Sequence, residues 1–401
     1  MNSSDLVTPK QRANSLFAAA CFSAGNYNIE VYTAVDRLQD DWEQFAKLHD
    51  HRFCKAQIGI CEKSVLQDFG YFYVVVKQQN ETVALFYFQT LLIRQGYYPD
   101  FSNLSFAARN LYCLISAHNY QLLINGHIFM ADFPGAVCSK KLMDDEYVSA
   151  LFDKVVAKVK RICDSSIFII KDVHPIIHEA IKHNPKYKLM PDDVLMEMNI
   201  PSTWENIEDY VSALSKKYAV RATKIEQSLS QFDIEELDEV QITKQSVVLQ
   251  RLYMNVMSKS SFKPGVLNMN YFAQMKAVLQ DNFRVWVWKL NNEIVGFTSY
   301  LLTNDSIELY YIGIDYKVNK TYHLYQCMLQ RGITDAIAMQ RKTLKLGRTA
   351  YEAKAIIGAK PVIKCNYFHI SNPILRIGYK YAADYFVAEN STNWQVRNPF
   401  R

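Results

Sequence analysis

The sequence predicts an α/β protein of the α+β type, built as two tandem modules, each a mixed, mainly antiparallel sheet flanked by helices. Three observations predict it. First, residues 73–85 read YVVVKQQNETVAL and residues 285–297 read VWVWKLNNEIVGF. In register, Val75, Lys77, Asn80, Glu81 and Val83 match Val287, Lys289, Asn292, Glu293 and Val295. Each copy halts a β-branched or aromatic run at a polar tip and resumes as an apolar run, which is a hairpin pattern. Second, both copies continue through another apolar run, a polar loop, a long amphipathic segment and a short strand-like run. The duplication therefore extends beyond one hairpin. Third, the chain has 401 residues, which suits two domains of about 200 residues. The expected division is a poorly ordered lead at 1–26, a first module at 27–200, and an inter-module basic helix with the second module at 201–401.

The elements follow in order. Residues 29–33 read as a strand and 38–48 as a helix, with Leu38, Trp42, Phe45 and Leu48 at helical spacing. The first hairpin covers 71–94. Residues 96–127, rich in Tyr, Asn and Phe, form an insert without a counterpart, expected as a helical insert or lid. A strand is expected at 128–137, a helix at 144–163, a strand at 166–170 and a short helix at 174–183. A strand at 194–200 closes the first module. Ser202 followed by Glu205 is a capping-box pattern, and it opens a helix expected to run to about 229. Residues 240–242 look strand-like. Helices are expected at 245–257 and 271–279, the second hairpin at 283–303, a strand at 307–315, a polar loop at 317–322 and a helix at 322–340. A strand at 343–347, a helix at 349–357 ending at Gly358 in a C′ position, and a strand at 361–370 complete the module. One more strand is expected at 381–388.

Composition narrows the function classes. Apolar residues make up 49% and charged residues 21% of the chain, enough for ordinary globular cores. A net charge of +5 is mild and does not suit a dedicated duplex-DNA binder. The 26 tyrosines and 22 phenylalanines fit aromatic packing. Eight cysteines (Cys21, Cys54, Cys61, Cys113, Cys138, Cys163, Cys327 and Cys365) never form a CxxC pair. That argues against a zinc ribbon or redox dithiol and suits a reducing, cytoplasmic location. No run of about 18 apolar residues exists, so no membrane span is expected. Lys10 and Arg12 before the apolar run 16–22 faintly resemble a signal peptide. The run is short and Asn14 and Ser15 interrupt its approach, so an N-terminal helix or a disordered lead fits better. His174 and His178 stand at i, i+4, but HPIIHE is not a metalloprotease pattern, and no metal is expected. His49 and His51 flank Asp50 as surface histidines. No nucleophile elbow is present, so a hydrolase is not expected.

The element order of the second module resembles the GNAT acyltransferase fold. Two such modules in one chain are similar to the double-GNAT branch, which includes the Fem-type peptidoglycan aminoacyl transferases and related bacterial proteins. The matching stretches are ELYYIGIDYKVNKTYHLYQCML at 308–329, KLGRTAYEAKAIIGAKP at 345–361 and LSKKYAVRATKIEQ at 214–227. The resemblance spans about residues 29–370. It implies an acyl-coenzyme A co-substrate with no tightly bound cofactor, or, for Fem-type relatives, aminoacyl-tRNA as donor. One departure stands out. Coenzyme-A-binding relatives cradle the pyrophosphate on the amides of a glycine-rich loop at a helix start. Here that loop, Lys317-Val318-Asn319-Lys320-Thr321-Tyr322, has no glycine, and its first-module equivalent at 135–140 has only Gly135. The missing glycines lean toward a donor other than coenzyme A, while Lys320 supplies charge that would hold a phosphate.

The resemblance singles out residues, each with a plainer alternative. Lys354, four before Gly358, lies where Fem-type relatives place a lysine, and it would neutralise a phosphate or transition-state charge. The alternative is a solvated helix lysine. Tyr351, one turn earlier, offers a hydroxyl. Lys217, Arg221 and Lys224 share one helix face and suit a phosphate-bearing substrate, a nucleotide sugar or tRNA. The alternative is a solvated face. Glu308, Tyr310, Tyr311 and Asp315 lie on the strand that splays to admit the donor. Alternation puts Glu308 and Tyr310 on one face and Tyr311 on the other, and Glu308 would take a proton from an amine. Asn319 and Lys320 belong to the donor loop.

The function expected is a cytosolic N-acyltransferase that moves an acyl group from a thioester to an amine. The site lies in the second module and the acceptor, an amino-sugar, lipid-linked or cell-envelope precursor, between modules. Positioning and charge stabilisation carry the catalysis. Fem-type transfer from aminoacyl-tRNA is one alternative, weakened by the lack of a long coiled-coil-like insert. A catalytically silent binding module of the same fold is the other.

Overall fold

The computed structural model describes residues 20–64, 68–94, 117–142, 147–190, 193–259, 265–377 and 397–401. The chain divides into two compact units. The first takes the chain up to Asp193 and resumes it from Cys365; the second takes Val194 to Lys364 and the stretch 397–401.

In the first unit, β1 (Ala20–Ala24), β2 (Tyr27–Tyr32), β3 (Phe69–Gln78), β4 (Glu81–Ile93), β5 (Tyr120–Asn125), β7 (Ile167–Ile170), β16 (Tyr367–Ile370) and β8 (Lys188–Leu189) form one sheet in that order, and β6 (Ala136–Cys138) pairs with β4. Helices α1 (Asp40–His49), α2 (Val148–Cys163) and α3 (Pro175–Ile181) flank it. Helix α2 forms because Val148, Leu151, Phe152, Val155, Val156 and Val159 recur at helical spacing and are all buried. Lys160 and Arg161 in its last turn suit the helix dipole. Its stripe packs on Phe72, Val74, Phe86, Leu123 and Phe168 of the sheet.

In the second unit the sheet order is β10 (Asp233–Glu236), β11 (Phe283–Leu290), β12 (Glu293–Leu302), β13 (Ser306–Ile314), β14 (Thr343–Gly347), β9 (Asp193–Asn199) and β15 (Lys360–Lys364). Its helices are α4 (Ile207–Ala213), α5 (Lys216–Leu229), α6 (Glu239–Lys244), α7 (Ser246–Ser258), α8 (Met269–Leu279), α9 (Tyr316–Tyr322), α10 (Leu324–Ala338) and α11 (Tyr351–Ile356). Leu329, Ile333, Ala336 and Ile337 of α10 pack on Ile307, Leu309 and Leu344.

The duplication holds at atomic detail. Both hairpins turn through two residues of positive φ, Gln79 and Asn80 in one and Asn291 and Asn292 in the other, as a type I′ turn requires. Both carry a register shift at the same place, between Val76 and Lys77 and between Trp288 and Lys289. Lys77 pairs with Glu30 on β2, and Lys289 pairs with Glu235 on β10.

The two sheets also trade a strand. Residues 194–200, expected to close the first module, pair in the second sheet, with Asn199 opposite Thr343. The expected strand at 361–370 is two strands. Its first half, β15, stays in the second sheet, and its second half, β16, pairs with β7 of the first, Tyr367 opposite Ile170.

Local differences have local causes. Residues 20–24, expected in the lead, are a strand because they pair with β2, Ala20 opposite Val31. The central strand of the first unit is β5, not 128–137; there the chain turns so that Phe129 and Met130 donate their amides to His127 Nδ1. Residues 240–242 lie in helix α6, opened by a capping box between Asp238 and Gln241. The helix expected from Ser202 starts at Ile207, behind a capping box between Asn206 and Asp209, and breaks at Leu214, whose backbone is extended. The expected strand at 381–388, most of the lead and most of the insert at 96–127 lie outside the described residues. No helix among the described residues is long and apolar enough to cross a membrane.

Candidate functional site

The second sheet opens in its middle. β13 and β14 run parallel and pair only at Ser306–Thr343, Ile307–Leu344 and Glu308–Lys345. Beyond Glu308, β13 continues to Ile314 on β12 alone. Glu308, which is buried, therefore stands at the last rung before the strands part.

A bulge shapes the open part of β13. Tyr300 faces Leu309 and Thr298 faces Ile312, so Tyr310 and Tyr311 together oppose Ser299. The Ser299 hydroxyl accepts from the Tyr311 amide at 3.0 Å and donates to the Tyr311 carbonyl at 2.8 Å. The expected alternation fails here. The Tyr310 and Tyr311 rings lie 4.5 Å apart, and both meet aromatics of the α7–α8 side. The Tyr310 and Tyr271 hydroxyls are 2.6 Å apart, while the Tyr311 ring packs edge-on to Tyr253 and Phe272. Tyr271, Tyr253 and Ser299 were not singled out in the sequence; a strand serine opposite paired tyrosines carries no recognisable signal.

The expected donor loop is helix α9. The Asp315 carboxylate caps it by accepting from the Lys317 amide at 2.9 Å. Val318 and Tyr322, four apart, pack against a cluster of Ile225, Phe232, Trp288 and Leu324, which is the helical spacing that the polar residues around them hide. The chain then turns through His323 at φ +54 directly into α10. The Asn319 carboxamide accepts from the Tyr325 amide at 2.8 Å, so it caps α10. Amides that a glycine-rich loop would leave for a pyrophosphate are spent within the helix pair: Asn319 N–H goes to Asp315 and His323 N–H to Asn319. These residues do not fit the coenzyme A cradle. Lys320 is exposed.

Lys354 is buried, at 3% exposure. Its Nζ donates to the carbonyls of Arg348 at 2.7 Å and Gly347 at 3.3 Å. Burial lowers its ammonium to about 7, because no carboxylate is among the partners of its Nζ and desolvation disfavours the charge. A neutral amine has two N–H donors, matching the two carbonyls. The turn it holds is unusual: Gly347, Thr349 and Ala350 all have positive φ. Lys354 thus fastens a left-handed turn at the head of its own helix rather than projecting into solvent.

An open cleft of about 660 Å³ lies between α5, α10 and α11, lined by Arg221, Gln326, Ala350, Tyr351, Glu352 and Ile356. It unites two of the expected residues, Arg221 and Tyr351. Lys217 and Lys224 lie exposed on α5, outside that lining. Glu308, Tyr310, Tyr311, Asn319 and Lys320 are not part of its lining. Among the described residues no group of His, Cys, Asp and Glu is placed to hold a metal ion.

The matching place in the first unit is shut. β5 and β7 pair in parallel from Leu122–Ile167 through Asn125–Ile170, and the Lys171 amide continues the ladder to the Asn125 carbonyl at 2.9 Å. The buried Asn125 carboxamide donates to the carbonyls of Gly135 at 2.7 Å and Tyr87 at 3.1 Å. Nearby, His127 Nδ1 accepts two backbone amides, leaving its Nε2–H, 3.3 Å from the Cys61 sulfur. Burial pushes that imidazole down to about 3 and the Cys61 thiol well up, so the pair is neutral core rather than an activated thiolate.

Residues 231–355 match the acetyltransferase (GNAT) domain family. A putative 8-amino-7-oxononanoate synthase 2 from Mycobacterium tuberculosis is 25% identical over 183 residues, 43% of this chain. The chain spans only 23% of that protein. Among solved structures, FemX matches at 9% identity and TM-score 0.49 over 84% of this chain and 97% of that one. A tandem GNAT protein from the clavulanic acid biosynthesis pathway matches at 9% identity and TM-score 0.47 over 86% and 99%. At such identity and TM-score neither likeness carries an activity across. The family match thus falls within the second unit, over the elements from β10 to α11 that frame the open strand pair and the cleft.

Proposed function

We propose that the second unit is an N-acyltransferase whose donor is an acyl ester on a phosphate-rich carrier gripped by side chains, aminoacyl-tRNA being the carrier that fits. One observation supports this most: the place of the pyrophosphate loop is taken by helix α9, and Asn319 caps the helix that an anion would otherwise meet. The cations Lys217, Arg221 and Lys224 lie exposed along α5, and Arg221 reaches the cleft, so a polyanionic carrier finds charge where a single pyrophosphate finds no amides. The acceptor amine attacks the acyl carbonyl; a C–N bond forms and the C–O bond to the carrier breaks. Water in the open cleft takes the proton that leaves the nitrogen, since Glu308 is not part of its lining. Tyr351, in the cleft, gives a proton to the departing oxygen. The acceptor class, an amino sugar or cell-envelope precursor, follows from the family resemblance alone.

The test is binding of bulk aminoacyl-tRNA against acetyl-coenzyme A. The tRNA should bind with an affinity that falls steeply with salt and drops by about tenfold or more when Lys217, Arg221 and Lys224 are all changed to alanine. Acetyl-coenzyme A should leave the melting temperature unchanged. A rise in melting temperature with acetyl-coenzyme A, together with its turnover by an amine, would restore the thioester donor and sink this proposal. Binding of neither ligand would favour a silent module.

A further inference from the structure

Residues 397–401 join both walls of the cleft from outside. On one side they meet the break between α4 and α5. The Ser215 amide donates to the Pro399 carbonyl at 2.8 Å, the Arg401 amide donates to Ala213 at 3.1 Å, and Arg401 Nε donates to the Leu214 carbonyl at 3.1 Å. Leu214 and Phe400 form an antiparallel bridge. On the other side they meet α11. Arg397 donates to the Glu352 carboxylate at 2.9 Å, and Glu352 lines the cleft. The Phe400 ring lies over Gly358, where φ is +103 and a Cβ would run into it. Trp204 and Tyr210 of the α4 side complete the box around that ring, at 6.1 and 6.3 Å between centroids.

This pattern explains two features that stand apart otherwise. The α4–α5 helix breaks at Leu214 because its extended backbone pairs with Phe400. Gly358 is required because the ring must approach the backbone closely. Helix α5 carries Arg221, and α11 carries Tyr351 and Lys354, so one short segment connects the two elements that face each other across the cleft.

We propose that residues 397–401 are a strap that sets the spacing of α5 and α11, with Phe400 and Arg397 as positioning residues for the cleft. The kinetic consequence rests on the function proposed above; the structural content does not, and the test needs no substrate. Hydrogen exchange is measured by mass spectrometry on the full chain and on Phe400→Ala, Phe400→Leu, Arg397→Gln and Arg397→Lys. Phe400→Ala should speed exchange at 350–358 and 211–221 by tenfold or more while 283–302 and 306–314 keep their protection. Phe400→Leu and Arg397→Lys should return most of it. Arg397→Gln should loosen 350–356 alone, which keeps the test open if Phe400→Ala does not fold. Equal acceleration across the whole second unit would reduce the segment to ordinary packing, and unchanged exchange at both walls would overturn the strap. If exchange responds but tRNA does not bind, the strap stands and the donor proposal fails.

Discussion

The two units share a plan and differ at one fork. In the first, the parallel pair β5–β7 is closed to its last residue and extended by the Lys171 amide. In the second, the parallel pair β13–β14 closes for three rungs and opens after Glu308. The hairpins beside them keep the same turn, the same register shift and the same lysine–glutamate pair. The likeness of the frame therefore says nothing about which copy has an opening. In the first unit the backbone ladder itself carries past the last rung, from the Lys171 amide to the Asn125 carbonyl, whereas in the second a bulge at Tyr310–Tyr311, fastened by Ser299, interrupts β13 where it leaves β14.

The strongest way to break this contrast is Gly135→Ala. The new methyl runs into the Asn125 carboxamide and backbone, so the end of β5 must move and strain its ladder to β7. The expected cost is about 2–4 kcal/mol to the first unit, read in urea unfolding and in faster exchange at 120–125 and 167–170. A cost under about 1 kcal/mol would mean that the end of β5 yields to the methyl and does not hold the closed fork rigid.

Next comes Lys354→Met, which probes the open copy. The folded state holds the Lys354 proton only below about 7, against an ordinary 10.5, so the unfolded chain binds an extra proton between those values. Stability of the wild type should therefore rise relative to the Met variant as pH goes from 7 to 10, by about 1.4 kcal/mol per pH unit at most. Below pH 7 the difference should be flat. A pH-independent difference across the whole range would show that Lys354 is not buried as an amine.

A smaller effect is expected from Asn319→Ala. Removing the cap of α10 should cost about 1 kcal/mol, and it should not create acetyl-coenzyme A binding, because α9 keeps its own amides. Recovery of coenzyme A binding on this single change would show that the cap alone excluded it. The smallest effect on stability is expected for the triple alanine variant at Lys217, Arg221 and Lys224, within about 0.5 kcal/mol of wild type, since all three are exposed. A larger loss would make the stripe structural.

What the sequence made legible follows from periodicity. Hairpins, the α2 stripe and the long α10 announce themselves because burial repeats at two or at 3.6 residues. The fork, the bulge and the exchange of strands do not. β9 and β16 read equally well as strands in either sheet, because an apolar run records that it is buried and not beside which neighbour. Helix α9 was hidden by Lys317, Asn319, Lys320 and Thr321, whose polarity outweighs the two apolar residues that hold it down. Arg221 and Tyr351 could be placed on helices from spacing and from a short helix end, but nothing in the sequence marks the cleft they line. The partners of Lys354 were not, since they are backbone carbonyls, and every residue has one.

The traded strands also set a timetable. Residues emerge from the ribosome at about 5–20 per second, and N-terminal domains ordinarily fold first. Here Ile170 of β7 waits for Tyr367 of β16, an interval of roughly 10–40 s at that rate. Until then the first sheet has a gap between β7 and β8, with unpaired strand edges on both sides. Over that interval the β7 edge is open to edge-to-edge pairing, and slower translation lengthens the exposure.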